Sequence, residues 1–436
     1  MKRLILFELM LLFLATTFES DSPPGWFQQT LPVNKIINDI FFIDSSNGWA
    51  VTAKSVAGDT SYVLKTTNSG TNWNVVYNLT NHFRVVQFLD LNTGYIAGGT
   101  VGGTAQLYKT TDGGISWSIM LSVLSGSNFR DVFFVNKDTG WVGDDNISGG
   151  AGLRKTTDGG LSWTQQLSGS FAPSKLFFIN KDTGWAACQN VNLYRTTNGG
   201  SLWTLQFASV FNIESIFFLT PQKGWMKGAP DLNGNGASYT TDGGSNWISC
   251  QGNTSTAVGY DIKFINDSIG FSGGSFLEIP KSTDGGKTWG YQNSPIFTQL
   301  STSFFKDDSL KGWQAYNGIV HTTDGGGSLI LGINQVSSEI PSDYMLYQNY
   351  PNPFNPVTNI KYSVKRETSK LQGQSSVKLM IFDIQGKLIT ELVNQKQNAG
   401  TYEVDWNASC FASGIYFYSL IVEGVIHQTR RMALVK

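Results

Sequence analysis

Seven charged residues recur near one point of a long internal period, and their mixed signs could do two kinds of chemistry. They are Asp39, Arg84, Arg130, Asp131, Lys175, Glu214 and Asp261, and each stands at the start of an apolar, often phenylalanine-rich run. Gathered into a ring, they could hold a glycan, a peptide or a protein segment through charge-assisted hydrogen bonds. A carboxylate pair drawn from Asp39, Asp131, Glu214 and Asp261 could instead supply the acid and base that glycosidic cleavage needs.

A second constellation points to calcium. Asp231-Leu232-Asn233-Gly234-Asn235-Gly236 fits the opening of a calcium loop, with Asp242 at the twelfth position where glutamate is usual. The expected ligands are Asp231, Asn233, Asn235 and Asp242, and calcium is the one cofactor with a pattern in the chain. The competing account is a long hairpin turned by Asn-Gly pairs. His82, His321 and His427 make no zinc spacing, and neither a phosphate loop nor a Gly-x-Ser-x-Gly elbow is present.

The elements that must position these groups come from a repeat. TTNSGTNW from Thr66 recurs as TTDGGISW, TTDGGLSW, TTNGGSLW, TTDGGSNW, STDGGKTW and TTDGGGSL, at steps of 40 to 46 residues. In register with it runs an apolar strand, a polar turn and a Gly-aromatic pair, as in FFIDSSNGW ending at Trp49 and FFVNKDTGW ending at Trp141. This period suits a four-stranded propeller blade. The first strand is the phenylalanine run, the second opens at the Gly-aromatic pair, the third ends in Thr-Thr, and the fourth opens at tryptophan. Asp-Gly-Gly joins the last two because Asp accepts turn hydrogen bonds and Gly takes positive φ.

The seventh copy lacks its tryptophan, and Gly25-Trp26-Phe27-Gln28-Gln29-Thr30 near the other end resembles Ser162-Trp163-Thr164-Gln165-Gln166-Leu167. The prediction is an all-β chain with a seven-bladed propeller closed by an N-terminal strand. Within a blade the two fixed-length turns share one face. The loops between second and third strands, which vary in length, lie on the other, where binding is expected with the charged ring at the channel mouth.

These motifs resemble the Asp-box (BNR) repeat, most fully at Ser282-Thr283-Asp284-Gly285-Gly286-Lys287-Thr288-Trp289, and the ring of seven resembles the photosystem II assembly-factor-like propellers. The resemblance implies that Asp112, Asp158, Asp242, Asp284 and Asp324 are turn residues far from the ligand face. Asn68 and Asn198 keep the turn chemistry without the acid. The arginine cluster and start motif of a sialidase are missing, and so is the basic patch of the photosystem family.

Composition narrows the partners. Only 14% of residues are charged and the net charge is −1, which gives no reason to expect nucleic acid. Met1-Lys2-Arg3 and the short apolar run to Ala15 read as a secretory signal over residues 1–20, cut between Ala15 and Ser22, leaving no transmembrane segment in the mature chain. Cys188, Cys250 and Cys410 are too few and too scattered for a disulfide framework.

The expected organisation continues with the propeller at 21–330, a linker at 331–345 and a small immunoglobulin-like β-sandwich at 346–436. The last region shows alternating strands, and its motifs YPNPFNP, IFDIQGK, AGTYEVDW, SGIYFY and RRMALVK closely resemble the type A sorting domain of the type IX secretion system. That resemblance implies export through the periplasm, recognition by the type IX machinery through residues 346–436, and then secretion or attachment at the outer-membrane surface. The expected protein is a monomeric, non-catalytic binding or scaffold module for a glycan or protein ligand. The alternative is a glycoside hydrolase or lyase using carboxylates at the channel mouth.

Overall fold

The computed structural model describes residues 25–435 except 55–58, 100–103, 124–127, 145–151, 169–172, 189–191, 209–212, 229–235, 253–260, 274–277, 297–310, 328–333, 338, 367–374 and 409–410. The expected signal at 1–20, Cys410, and Asp231, Asn233 and Asn235 lie outside these residues. Every regular element among the described residues is a strand.

Blade 1 is the pattern for the rest. Its strands Ile37–Phe42, Gly48–Thr52, Ser61–Thr66 and Asn74–Leu79 pair antiparallel in chain order. Blades 2 to 5 repeat this, beginning at Phe83, Phe129, Pro173 and Ile213. Blade 6 runs from Ile262 to Asn293 and carries a fifth strand, Gln251–Gly252, laid parallel along its outer edge. Blade 7 shows Gly312–Ala315, Ile319–Thr322 and, outermost, Phe27–Gln29. Its inner strand, expected around Phe305, lies outside the described residues.

The ring closes as the repeat implied. Phe27 pairs with His321 and Gln29 with Ile319, so the N-terminal strand completes the last sheet. The seventh Asp-box turn is assembled from both chain ends. The Gly25 amide donates to Asp324 Oδ2 at 2.9 Å, as the Ser116 amide donates to Asp112 Oδ2 at 3.1 Å in blade 2.

One three-ring sandwich explains why the two motifs travel together. In six of the seven blades the Gly-aromatic ring stacks on the inner-strand phenylalanine of the next, with centroids 3.6–3.7 Å apart, and for the blade 6 ring Phe271 the expected partner lies outside the described residues. The outer-strand tryptophan then meets the same phenylalanine edge-on at 5.8–6.2 Å. The phenylalanine must lie flat over the paired glycine, and a Cβ on Gly48 would sit 2.6 Å from the Phe42 ring. Trp49 and Lys65 also donate to the Gly113 carbonyl in the next blade's Asp box, at 2.9 and 3.1 Å. Each blade thus completes its neighbour, and burial of these rings contributes on the order of 2–3 kcal/mol apiece.

The C-terminal domain consists of two four-stranded sheets around one core. The first sheet orders Asn334–Ser337, Gly400–Asn407, Val357–Val364 and Met345–Leu346, and the second orders Leu388–Gln397, Ser375–Phe382, Gly414–Val422 and Val425–Leu434. Tyr362, Val404 and Trp406 meet Leu379, Tyr418 and Leu420 between them. The stretch expected as a linker, 331–345, corrects itself here: Asn334–Ser337 is an edge strand on Gly400–Asn407, and Tyr344 is part of the core. An edge strand needs few apolar residues, so composition alone hid it. The YPNPFNP motif clamps the last strand, with Phe354 N donating to Ala433 O at 3.0 Å and Ala433 N to Asn352 Oδ1 at 2.9 Å.

Candidate functional site

The inner strands place Asp39, Asp131, Lys175 and Asp261 at one repeat position and Arg84, Arg130 and Glu214 at the position before it, and most of them already serve the fold. Asp39 Oδ2 accepts the Val86 amide of the next blade at 2.8 Å, and Asp131 Oδ2 accepts the Leu176 amide at 2.8 Å. Arg84 Nε donates to Asn128 Oδ1 at 3.1 Å. At the next seams Gln87 exchanges two hydrogen bonds with the Phe134 backbone, and Ser215 Oγ accepts from Ile262 N while donating to Asp261 Oδ1. These side chains are staples between blades. Repetition of a polar residue at one repeat position cannot reveal which neighbouring amide it serves.

Lys175 and Glu214 differ from them. Neither makes a hydrogen bond or ion pair with the described residues, and both are only partly exposed. Burial opposes the charge of Lys175. Asp131, Asp261, Asp39 and Glu214 together outweigh it and hold the ammonium above its ordinary pKa. Burial raises the pKa of Glu214, with Lys175 and Arg130 offsetting part of the effect. Lys175 is therefore within electrostatic range of Asp39, Asp131, Glu214 and Asp261, on blades 1, 3, 5 and 6. Asp261 is 7% exposed and its Oδ2 has no hydrogen-bond partner.

Burial pushes Asp131 up to about 6, Lys175 and the Leu176 amide only partly opposing it and Asp39 adding repulsion. The unfolded chain would lose this proton near 3.8, so the folded state binds more protons between those values. Stability from this group therefore falls as pH rises through that window, by on the order of 1–3 kcal/mol. Asp131→Asn should flatten the fall in Tm between pH 4 and 6 relative to the parent. An unchanged slope in calorimetry would refute the assignment.

Lys227 was missed by sequence reading. It sits where the other Gly-aromatic strands carry Val51, Ala97, Gly143, Ala187, Gly273 or Ala315, and a blade-by-blade comparison of that position would have exposed it. Its ammonium is buried, donates to Ser272 Oγ at 2.8 Å and the Gly273 carbonyl at 3.3 Å, and burial lowers its pKa to about 8.

Of the expected calcium ligands only Asp242 lies among the described residues, and it is bonded within its own turn. Strand Ala237–Thr240 separates that residue from Gly236, roughly 20 Å of extended chain. Its carboxylate accepts from Thr240 Oγ1, Asn246 N and Asn246 Nδ2 at 2.7–2.9 Å, which holds its pKa down near 2. The described part of this twelve-residue offset is a strand that ends in a turn. Among the described residues no group of three or more His, Cys, Asp or Glu side chains could hold a metal ion. Cys188 and Cys250 are both buried.

Comparison with known proteins settles the far end of the chain. Residues 348–433 match the family described as the secretion system C-terminal sorting domain. This C-terminal region is a type IX sorting domain. It engages the type IX secretion machinery, and the protein is exported, to be secreted or attached at the outer-membrane surface. No helix among the described residues is long and apolar enough to cross a membrane.

The propeller has structural relatives only. No curated protein matches the chain. A structure titled "YCF48 bound to D1 peptide" is 20% identical with a TM-score of 0.55, covering 70% of this chain and 98% of that one. YCF48 from Cyanidioschyzon merolae is 17% identical with a TM-score of 0.53, covering 68% and 98%. A streptogramin B lyase is 16% identical with a TM-score of 0.53, covering 70% and 97%. Likeness at these identities shows the fold and nothing more.

Proposed function

We propose that the exported propeller is a non-catalytic binding module whose ligand enters the channel from the variable-loop face. The observation that carries this reading is the pair Lys175 and Glu214, held on the inner strands of adjacent blades without a hydrogen bond to any described residue. Charged groups that are removed from much of their water and left unbonded are costly unless something else bonds to them. Of the four carboxylates on which a hydrolase could draw, Asp39 and Asp131 are spent on backbone amides. A propeller of similar fold is recorded bound to a peptide, which supports a binding role for this fold.

The test uses the whole exported chain on a panel of glycans and peptides, read by surface plasmon resonance and by product analysis. Binding without turnover, weakened at least tenfold by Glu214→Gln at unchanged Tm, is the expected result. Turnover abolished by changing one carboxylate would replace this reading with the hydrolase. The calcium loop at 231–236 remains a proposal of its own, to be checked by titrating calcium against Tm.

A further inference from the structure

We infer that the ligand of this channel is a neutral saccharide, recognised through Lys175 and Glu214. This rests on the binding reading above and names the chemistry it leaves open. The first support is the arrangement of charge. Lys175 lies under the field of Asp39, Asp131, Glu214 and Asp261, and Glu214 under that of Lys175 and Arg130. A ligand anion drawn to Lys175 meets four carboxylates, and a ligand cation drawn to Glu214 meets Lys175 and Arg130. Each sign of charge is opposed by the groups beside its partner. A hydroxyl both donates and accepts, so it can satisfy an ammonium and a carboxylate together without adding charge.

The second support is hydrogen-bond capacity. Lys175 offers donors and Glu214 acceptors that no described residue uses, and the buried Asp261 adds an unpaired Oδ2 on the same tier. Vicinal hydroxyls match such an alternation of donor and acceptor. The third support is the floor. Two residues beyond Asp131, Lys175 and Ser215 on their inner strands, and therefore on the same side as those three, Phe133, Phe177 and Phe217 meet edge-on with centroids 5.7 and 5.2 Å apart, while Glu214 stands one position before Ser215 in the bulge of its strand. All three are partly exposed, and they lie nearer the Asp-box face than the charged tier does. An apolar tier beneath a polar wall suits a sugar ring, which has hydroxyls at its edge and C–H bonds on its faces.

Calorimetry on the full exported chain, with neutral, uronic-acid and amino-sugar oligosaccharides and with unstructured peptides, tests this directly. The expected result is binding of a neutral oligosaccharide with an affinity that changes less than twofold between 50 and 500 mM salt (roughly a threefold change in screening length). Lys175→Gln and Glu214→Gln should each weaken it at least tenfold, and Phe177→Leu should weaken it with the charged tier intact. If Lys175→Gln fails to fold, the Glu214→Gln and Phe177→Leu variants carry the test. Charged saccharides or peptides binding in place of neutral ones, with strong salt dependence and the same sensitivity to Glu214→Gln, would overturn the saccharide while leaving the channel as a binding site. Neutral saccharide binding that ignores all three substitutions would overturn both.

Discussion

A chain ending at Val422 should remain in the periplasm, with none of it delivered to the surface. The strand it loses, Val425–Leu434, pairs along Gly414–Val422 from Gly414↔Leu434 to Val422↔Val425. It also buries Met432 and Leu434 in the domain core. Removing it unties the YPNPFNP segment as well, because Phe354 and Asn352 hold the backbone of Ala433, Gln348 Nε2 donates to Arg431 O at 2.9 Å, and Arg430 Nε donates to Leu346 O. Two of the sequence motifs that mark the sorting domain are thus one structural unit. A milder variant separates unfolding from lost recognition. Arg431→Glu reverses an exposed charge on the last strand and should leave the sheets intact. Cell fractionation with protease shaving of intact cells reads both outcomes, and full surface delivery of the truncated chain would contradict the role given to this strand.

The second large effect is expected at the ring closure. Trp313→Ala should cost about 3–5 kcal/mol, as truncation of large buried aromatic residues generally does. Trp313 is 1% exposed, stacks on Phe42 at 3.7 Å and on His321 at 4.6 Å, and donates to the Ser69 carbonyl at 3.1 Å. Trp49→Ala removes an equivalent ring between blades 1 and 2, where the chain is continuous, and serves as the control. The two should cost similar free energy but differ in what opens. Only Trp313→Ala should speed hydrogen exchange in Phe27–Gln29, the three-residue strand that joins the ends. Equal protection of that strand in both variants would mean that closure does not depend on this interface.

Much of this architecture was legible because its causes are local and repeated. The Gly-aromatic pair and the Asp box recur at fixed spacing since each three-ring sandwich needs a member from each, and the missing tryptophan of the seventh copy pointed to Trp26. The site was harder to read. Asp39, Asp131 and Lys175 occupy equivalent repeat positions, yet two staple the next blade and one does not. That distinction depends on contacts across a seam and leaves no trace in composition. Asn334–Ser337 was hidden for the same reason, since its partner Gly400–Asn407 lies more than sixty residues away.

The split seventh turn has a mechanical outcome. Gly327 lies against Gly25, with a would-be Cβ only 3.4 Å from the Gly25 Cα, so the chain arrives and departs through one corner on the Asp-box side. Any pull on the chain beyond Gly327 therefore acts beside Gly25, at the corner where the ring closes.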